Sequence, residues 1–362
     1  MSVFSNVTKL IPPPAYITMP SVGVDISDTS LKYVQFDVSA REKGYELNRW
    51  GDLDIPNGTL KRGEVKDKGK LTDVLKEVRS IISSPYVRVS LPEERAYLFE
   101  TEIKRGIPFK EIRGLLEFRL EENVPISPRD AFFDYEIIDD SSERMVRVAV
   151  AAYSRDTIMN YYESCTKAGL VPVSFEVEAQ AIARAALPEN DPAAHIIVDF
   201  GKTRTGVGIV YRGTLMYTST IDFGGNELSS VLRRELGDTP EAELTKIKNT
   251  QGLIKGVENT QVYDALISTV SVIKDELATR IQYWHTRDYK RSERRIQSVI
   301  LCGGSANLKG LPEYLSETLG IRTVRANVWQ NAFDINTTIP PIGRRYSFGY
   351  ATAVGLALKN TV

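Results

Sequence analysis

One pattern occurs twice in this chain, about half its length apart, and it restricts the fold more than any other feature. Residues 22–36 read "VGVDISDTSLKYVQF" and residues 195–210 read "HIIVDFGKTRTGVGIV". With Asp25 set against Asp199, each stretch has an apolar strand, then the aspartate, an apolar residue and a small residue (Ser27 or Gly201). A threonine stands at the same offset in both turns, Thr29 and Thr203, and a second apolar strand follows. This is a β-hairpin whose turn is too long and too polar for a tight two-residue reversal. Two copies so far apart predict duplicated half-molecules and not a short-period solenoid.

Between and after the hairpins, helical spacing alternates with strand spacing. Leu71, Val74, Leu75, Val78, Ile81 and Ile82 recur at intervals of three and four, which predicts an amphipathic helix. Residues 86–91 read as a strand closed by Pro92. Ile112, Leu115, Leu116 and Leu120 mark a helix stopped by the prolines of "NVPISP". Residues 132–138 and 145–151 read as a strand pair, and Ser154 is placed to cap a helix that ends at Gly169. Alanine-rich residues 177–187 predict a short helix, and in the second half helices are expected around 228–236, 261–285 and 311–319. A buried strand covers 298–304, and "FGYATAVGLAL" closes as a small-residue helix. This alternation predicts a two-lobed α/β protein.

Composition removes several classes of function. With 362 residues, 42% apolar and 26% charged, there is material for about two domains. A formal charge of −1 gives no electrostatic reason to expect nucleic acid as a bulk partner. Cys165 and Cys302 form neither zinc spacing nor a disulfide framework, so a reducing cytoplasm is the default. No apolar run reaches membrane-spanning length, and the first 20 residues lack the basic start and apolar core of a signal peptide. His195 and His285 are the two histidines; His195 starts an apparent core strand, where a structural role is expected.

The two turns suggest phosphate chemistry. Their backbone N–H groups and the hydroxyls of Ser27, Thr29, Ser30, Thr203 and Thr205 can face phosphate oxygens. Gly201 lets the backbone come close to a ligand, and Lys202 and Arg204 can neutralise phosphate charge. Asp25 and Asp199, at the strand ends, are candidate ligands for Mg2+, directly or through its waters. Either hairpin alone reads more readily as a decorated surface turn. A third element, "LCGGSANLKGLPEYLSETLG", couples a buried strand to the Gly303-Gly304 turn and a helix, so that an adenine ring can lie against the backbone.

In that order the three elements resemble the actin-like ATPase superfamily, with residues 22–36, 196–211 and 298–310 similar to its phosphate-1, phosphate-2 and adenosine motifs. Residues 176–187 resemble its first connecting helix. The resemblance narrows to the PilM family of type IV pilus machines, carried by "VSLPEERAYLFETEI", "EFRLEENVPISPRDAFFDYEII" and "VAVAAYSRDTIMNYYESCTKAGLVPVSFEVEAQA". It implies an α/β, two-lobed actin-like (ribonuclease H-like) ATPase fold with an inserted subdomain. The implied division is an N-terminal arm over 1–20, subdomain 1A over 21–85 and 161–192, and the inserted 1C over 86–160. Subdomain 2A would cover 193–225 and 296–362, and 2B would cover 226–295.

The resemblance also implies ATP with Mg2+, bound by Asp25, Ser27, Thr29, Ser30, Lys32, Asp199, Gly201, Lys202, Thr203, Gly303, Gly304 and Ser305. "AELTK" at 242–246 adds Glu243 and Lys246 as nucleoside contacts, or else an ion pair on a solvated helix. The implied partner is the N-terminal cytoplasmic peptide of a PilN-like membrane protein, which would bring the chain to the inner membrane from the cytoplasm. Val124, Pro125 and Ile126 are candidates for the peptide groove, or for a loop packed onto its own helix.

The first hairpin reads Asp-Ile-Ser where the family usually has Asp-Ile-Gly, and the second turn, "GKTRT", is unusually cationic. Lys202 or Arg204 can therefore reach phosphates or a carboxylate across the cleft. Glu176, Glu178 and Gln180 are near the connecting helix and can orient a water, but no spacing singles out a catalytic base. This favours a nucleotide-dependent switch with slow hydrolysis at most. The alternatives are a filament-forming adaptor like FtsA, which would want a C-terminal amphipathic helix, and a sugar-kinase-type enzyme. The basic stretch 287–295 reads as a solvated loop or a partner contact.

Overall fold

The computed structural model describes residues 21–38, 45–139, 143–256, 259–287 and 292–359. The expected N-terminal arm, and residues 288–291 of the basic stretch 287–295, lie outside these residues. In chain order the first lobe begins β1 (Val22–Ile26), β2 (Ser30–Val38), β3 (Tyr45–Asp54), the short pair β4 (Leu60–Lys61) and β5 (Glu64–Val65), α1 (Lys68–Ile81) and β6 (Tyr86–Leu91). Then come β7 (Tyr97–Lys104), α2 (Phe109–Asn123), β8 (Ala131–Asp139), β9 (Met145–Ser154), α3 (Arg155–Lys167), β10 (Val171–Val177) and α4 (Glu178–Ala186). The second half runs β11 (Ala194–Phe200), β12 (Thr205–Tyr211), β13 (Thr214–Ile221), α5 (Gly225–Leu236), α6 (Glu241–Thr250) and α7 (Thr260–Arg287). It ends with β14 (Ile296–Cys302), α8 (Leu311–Leu319), β15 (Arg322–Arg325), α9 (Arg344–Ser347) and α10 (Ala351–Ala357).

The duplication seen in the sequence is a duplication of topology. The first sheet has strand order β10-β6-β1-β2-β3 and the second β15-β14-β11-β12-β13. In each, three antiparallel strands are extended by two parallel ones on the far side of the first. The parallel strands need helical crossovers, which α1, α3, α7 and α8 supply. Strand β1 is buried along its whole length, as a strand covered on both faces must be.

Local signals hold where they were strong. Ser154 caps α3 by accepting from the Thr157 N–H at 3.2 Å, and Gly169 takes φ +77° just beyond its end. Gly237 and Gly320 do the same after α5 and α8, at +78° and +65°. His195 is structural: its Nδ1 pairs with Ser298 Oγ at 2.7 Å and its Nε2 with Asp191 Oδ2 at 3.2 Å. Both cysteines are buried free thiols. Among the described residues no helix is long and apolar enough to cross a membrane.

Two expected boundaries move. The inserted subdomain does not start at residue 86, because β6 pairs with β1 and β10 in the first sheet. The inserted unit is the separate sheet β7-β9-β8 with α2 packed on it around Phe99, Leu116, Leu120 and Val150. Helix α10 does not belong with the second lobe either. Its Ala353 and Val354 lie in the core of the first lobe, where the backbone runs so close to β1 that a Cβ on Gly23 would come 2.0 Å from Ala353 O. At Gly355, α10 crosses α4 so closely that a Cβ would sit 1.7 Å from Ala181 O. Small residues permit this crossing of α10 and α4, and their pattern alone does not say which lobe they join.

Candidate functional site

The ends of β1 and β11 meet across a cleft with a cavity of about 310 Å³. It is lined by Asp25, Ser27, Thr29, Ser30 and Lys32 from the first hairpin, and by Asp199, Gly201, Lys202, Thr203 and Arg204 from the second. Gly303 and Gly304 come in from the end of β14. Nearly all the residues that sequence placed in the phosphate-facing set are thus brought together. Three are not. Ser305 points away from the ligand space and donates to Gly201 O at 2.9 Å, pinning the glycine turn to the second hairpin. Glu243 and Lys246 are exposed on α6 and do not line the cavity. Their neighbours turn inward instead: Lys248 Nζ donates to Ser229 Oγ at 2.7 Å and to Glu241 Oε1 at 3.3 Å.

The two turns close differently. Where glycine is usual, Ser27 donates from its N–H to Ser30 O at 2.9 Å, and its hydroxyl donates to the same oxygen at 3.0 Å. Its side chain therefore closes the turn, and Lys32 Nζ donates to Ser30 Oγ at 2.9 Å beside it. In the second turn, the N–H of Gly201 donates to Arg204 O at 2.9 Å. A Cβ on Gly201 would come 2.8 Å from that oxygen, so the tight turn needs glycine. Gly303 has φ +83°, and a Cβ there would come 2.3 Å from Asp199 Oδ1. Gly304 has nothing within 4 Å of its Cβ position and presents bare backbone to the cavity. Thr205, expected to offer its hydroxyl to phosphate, is fully buried and donates to Phe223 O at 2.7 Å.

The cations separate by role. Arg204 reaches a carboxylate across the cleft, as the turn sequence allowed: it pairs with Glu94 and, at 3.2 Å, with Asp28. Lys202 is exposed at the cavity and Lys32 half-buried, which leaves these two facing the ligand space. The floor is acidic. Burial, with Asp25 nearby, pushes Asp199 up to about 7. Burial raises Asp25 too, against the pull of Lys32. Burial and the surrounding carboxylates drive Glu93 and Glu178 well above the ordinary range. Of the three water-orienting candidates, only Glu178 lines this cavity. Glu176 is held below the usual range because Arg184 and Lys359 outweigh its burial, and Gln180 bonds the β12–β13 turn.

Glu93, Glu94 and Asp28 are site residues that sequence reasoning missed. The signal available was "LPEER", two glutamates directly after a strand-ending proline, but nothing local says that the turn faces a cleft. Among the described residues no three acidic, histidine or cysteine side chains cluster closely enough to cage a metal ion. Asp25 and Asp199 therefore suit an ion that brings its own waters and takes ligands from phosphates, as Mg2+ commonly does. Backbone amides and lysines on the rim and carboxylates on the floor suit a polyphosphate with a divalent cation.

A second cavity, of about 230 Å³, lies behind this one. It is lined by residues 132–136 of β8 and 175–177 of β10, with Leu91, Leu98, Val150 and Tyr153. Side chains alternate faces along a strand, so successive residues share one cavity only along the strand's edge. Strands β8 and β10 are both outermost in their sheets. Val124, Pro125 and Ile126 do not line this cavity: Val124 is buried in the inserted subdomain, Ile126 packs against it and Pro125 is exposed.

Solved structures share this architecture. A PilM–PilN type IV pilus biogenesis complex matches with a TM-score of 0.73 and 21% identity, over 94% of this chain and 98% of that one. The ethanolamine utilization protein EutJ from Carboxydothermus hydrogenoformans matches with a TM-score of 0.54 and 18% identity, over 95% and 92%. MreB5 of Spiroplasma citri, bound to ADP, matches with a TM-score of 0.52 and 13% identity, over 86% and 92%. These likenesses establish an actin-like fold. The family model described as type IV pilus assembly protein PilM matches residues 23–361, and the chain accordingly belongs to the PilM family.

Proposed function

We propose that this chain is a cytoplasmic scaffold of type IV pilus assembly that binds ATP with Mg2+ in the interlobe cleft. In the second cavity it docks the N-terminal cytoplasmic segment of a PilN-type membrane protein, which holds it at the inner membrane. The observation that carries this reading is that the two cavities share one wall. Leu91 lines the rear cavity and Glu93 the cleft, two residues apart; Gln180 and Glu178 divide in the same way at the start of α4. Tyr153 ties the wall together, its ring in the rear cavity and its hydroxyl donating to Pro92 O at 3.2 Å.

An extended peptide would gain backbone hydrogen bonds from a free strand edge and side-chain pockets from the apolar lining. Because the rear cavity also includes Thr214 and Leu215 from the second lobe, a change in lobe angle changes its shape. Nucleotide then acts as a switch by favouring one lobe arrangement. Hydrolysis is slow at most, since Glu178 reaches the cleft without a partner base at defined spacing. The test is binding of a synthetic PilN-type N-terminal peptide, titrated with and without ATP-Mg. Binding that strengthens or weakens with nucleotide is expected; no binding in either condition overturns the docking reading.

A further inference from the structure

The inserted sheet interrupts the first lobe in sequence, yet one of its faces is fastened to the second lobe. Side chains alternate along β9, so Val146, Val148 and Val150 turn toward α2 while Arg147, Ala149 and Ala151 take the other face. Glu100 stands opposite Ala149 in the β7–β9 register and shares that second face. There Ala149 and Ile138 join the apolar core of the second lobe. Glu100, with its side chain 10% exposed, accepts from Arg147 of its own sheet and from Arg294, 194 residues away. Arg294 Nη1 donates to Oε1 at 2.9 Å and to Oε2 at 3.2 Å. Arg294 is itself locked into the second lobe. Its guanidinium lies 4.9 Å from the ring centre of Tyr211 on β12 and 6.0 Å from that of Trp284 on α7. Trp284 Nε1 donates to its carbonyl at 2.8 Å.

To the first lobe the sheet is joined where the chain crosses between them. At that end Arg155 lies over the Phe132 ring at 4.2 Å and donates to Arg129 O at 3.1 Å. Exposed contacts gathered at one end make a pivot, whereas a buried arginine–carboxylate cluster makes a clasp. The face that carries the clasp also walls the rear cavity, through Leu98, Ala149 and Ala151, opposite Phe175 and Val177 of the first lobe. We propose that Glu100 is a positioning residue that makes the inserted subdomain move with the second lobe, so that lobe rotation carries Leu98 and Ala151 across β10 and resizes the rear cavity. Glu100 itself does not line that cavity. The consequence for peptide binding rests on the reading of the cavity as the docking site; the clasp does not.

The experiment places spin labels in pairs at exposed positions of the full chain: Phe118→Cys on α2, Tyr162→Cys on α3 in the first lobe and Val272→Cys on α7 in the second. The native thiols, Cys165 and Cys302, are buried. Electron–electron resonance without ligand is expected to give a narrower distance distribution for 118–272 than for 118–162. In Glu100→Gln the 118–272 distribution should broaden about twofold, as the subdomain is released from the second lobe. Arg294→Lys keeps the buried charge and loses the planar grip; it should broaden the distribution less, and it carries the test if a thermal melt shows Glu100→Gln unfolded. An unchanged 118–272 distribution in a folded variant overturns the proposal, as does a 118–162 distribution narrower than 118–272 in the chain with Glu100 intact. Titration of the PilN-type peptide with and without ATP-Mg reads the consequence. The ratio of the two affinities should fall toward one in Glu100→Gln, with ATP affinity within about twofold. A ratio that persists in Glu100→Gln, or that is already one with Glu100 intact, overturns the resizing of the cavity. If the chain binds no peptide at all, the docking reading fails, and the distances still decide the clasp.

Discussion

Arg204 Nη2, in the second lobe, lies 3.2 Å from Asp28 Oδ2 in the first, and the same guanidinium grips Glu94. Asp28 is itself held by the N–H groups of Arg62 and Gly63 at 2.8 and 3.0 Å. The arginine side chain is 17% exposed and its partners 18% and 16%, so solvent screens this bridge less than an open surface pair. Arg204→Ala leaves two carboxylates without their cation and is expected to cost about 2 kcal/mol. Denaturant unfolding checks this, and an unchanged midpoint would count against a clamp. The exposed tie from Arg62 to Asp222 is expected to contribute under about 1 kcal/mol.

Two glycines separate packing from ligand space. Gly355→Ala improves helix propensity by about 0.5–1 kcal/mol, yet its Cβ would sit 1.7 Å from Ala181 O. The clash is with backbone and cannot be relieved by a rotamer change, so a net loss of about 2 kcal/mol is expected. Gly304→Ala meets nothing within 4 Å. It is expected to leave the melting temperature unchanged while weakening ATP binding. A Gly304→Ala variant that binds ATP normally would show that the ligand does not approach this backbone.

The acidic floor makes the free protein sensitive to pH. The carboxyl of Asp199 rises from 3.8 to about 7 on folding, chiefly through burial and secondarily through Asp25. The folded state therefore holds a proton that the unfolded state has released. Stability from this group is full below about pH 4 and is lost as pH rises through about 7. Glu93 and Glu178 shift in the same direction. Unfolding free energy without ligand should fall between pH 5 and pH 8, and Asp199→Asn should flatten that fall. A rise over the same interval would contradict the assignment.

The rear cavity can be tested apart from the cleft. Phe175 enters it from the first lobe and Leu98 from the inserted subdomain. Truncating either to alanine removes apolar surface from a peptide contact and is expected to weaken peptide binding about tenfold. ATP affinity should stay within about twofold, because neither residue lines the cleft. If both ligands weaken equally, the effect is on folding and not on a groove.

The elements legible in the chain were those written in local spacing. The α1 stripe from Leu71 to Val78, the Ser154 cap and the glycine after α8 act within a turn or two, so residue order suffices to place them. The paired aspartates also announced a duplicated fold, because each hairpin is one contiguous segment. Contacts between distant segments were another matter. Arg204 declared a charge but not its partners, since Asp28 and Glu94 lie more than a hundred residues away in sequence. Nothing in the residues around Glu93 says that Gly206 of the second lobe packs against its carboxylate. Helix α10 read as apolar and small, and only packing against β1 and α4 assigned it to the first lobe. Hydrophobic patterning states that a face must be buried; which surface buries it depends on how the whole chain closes.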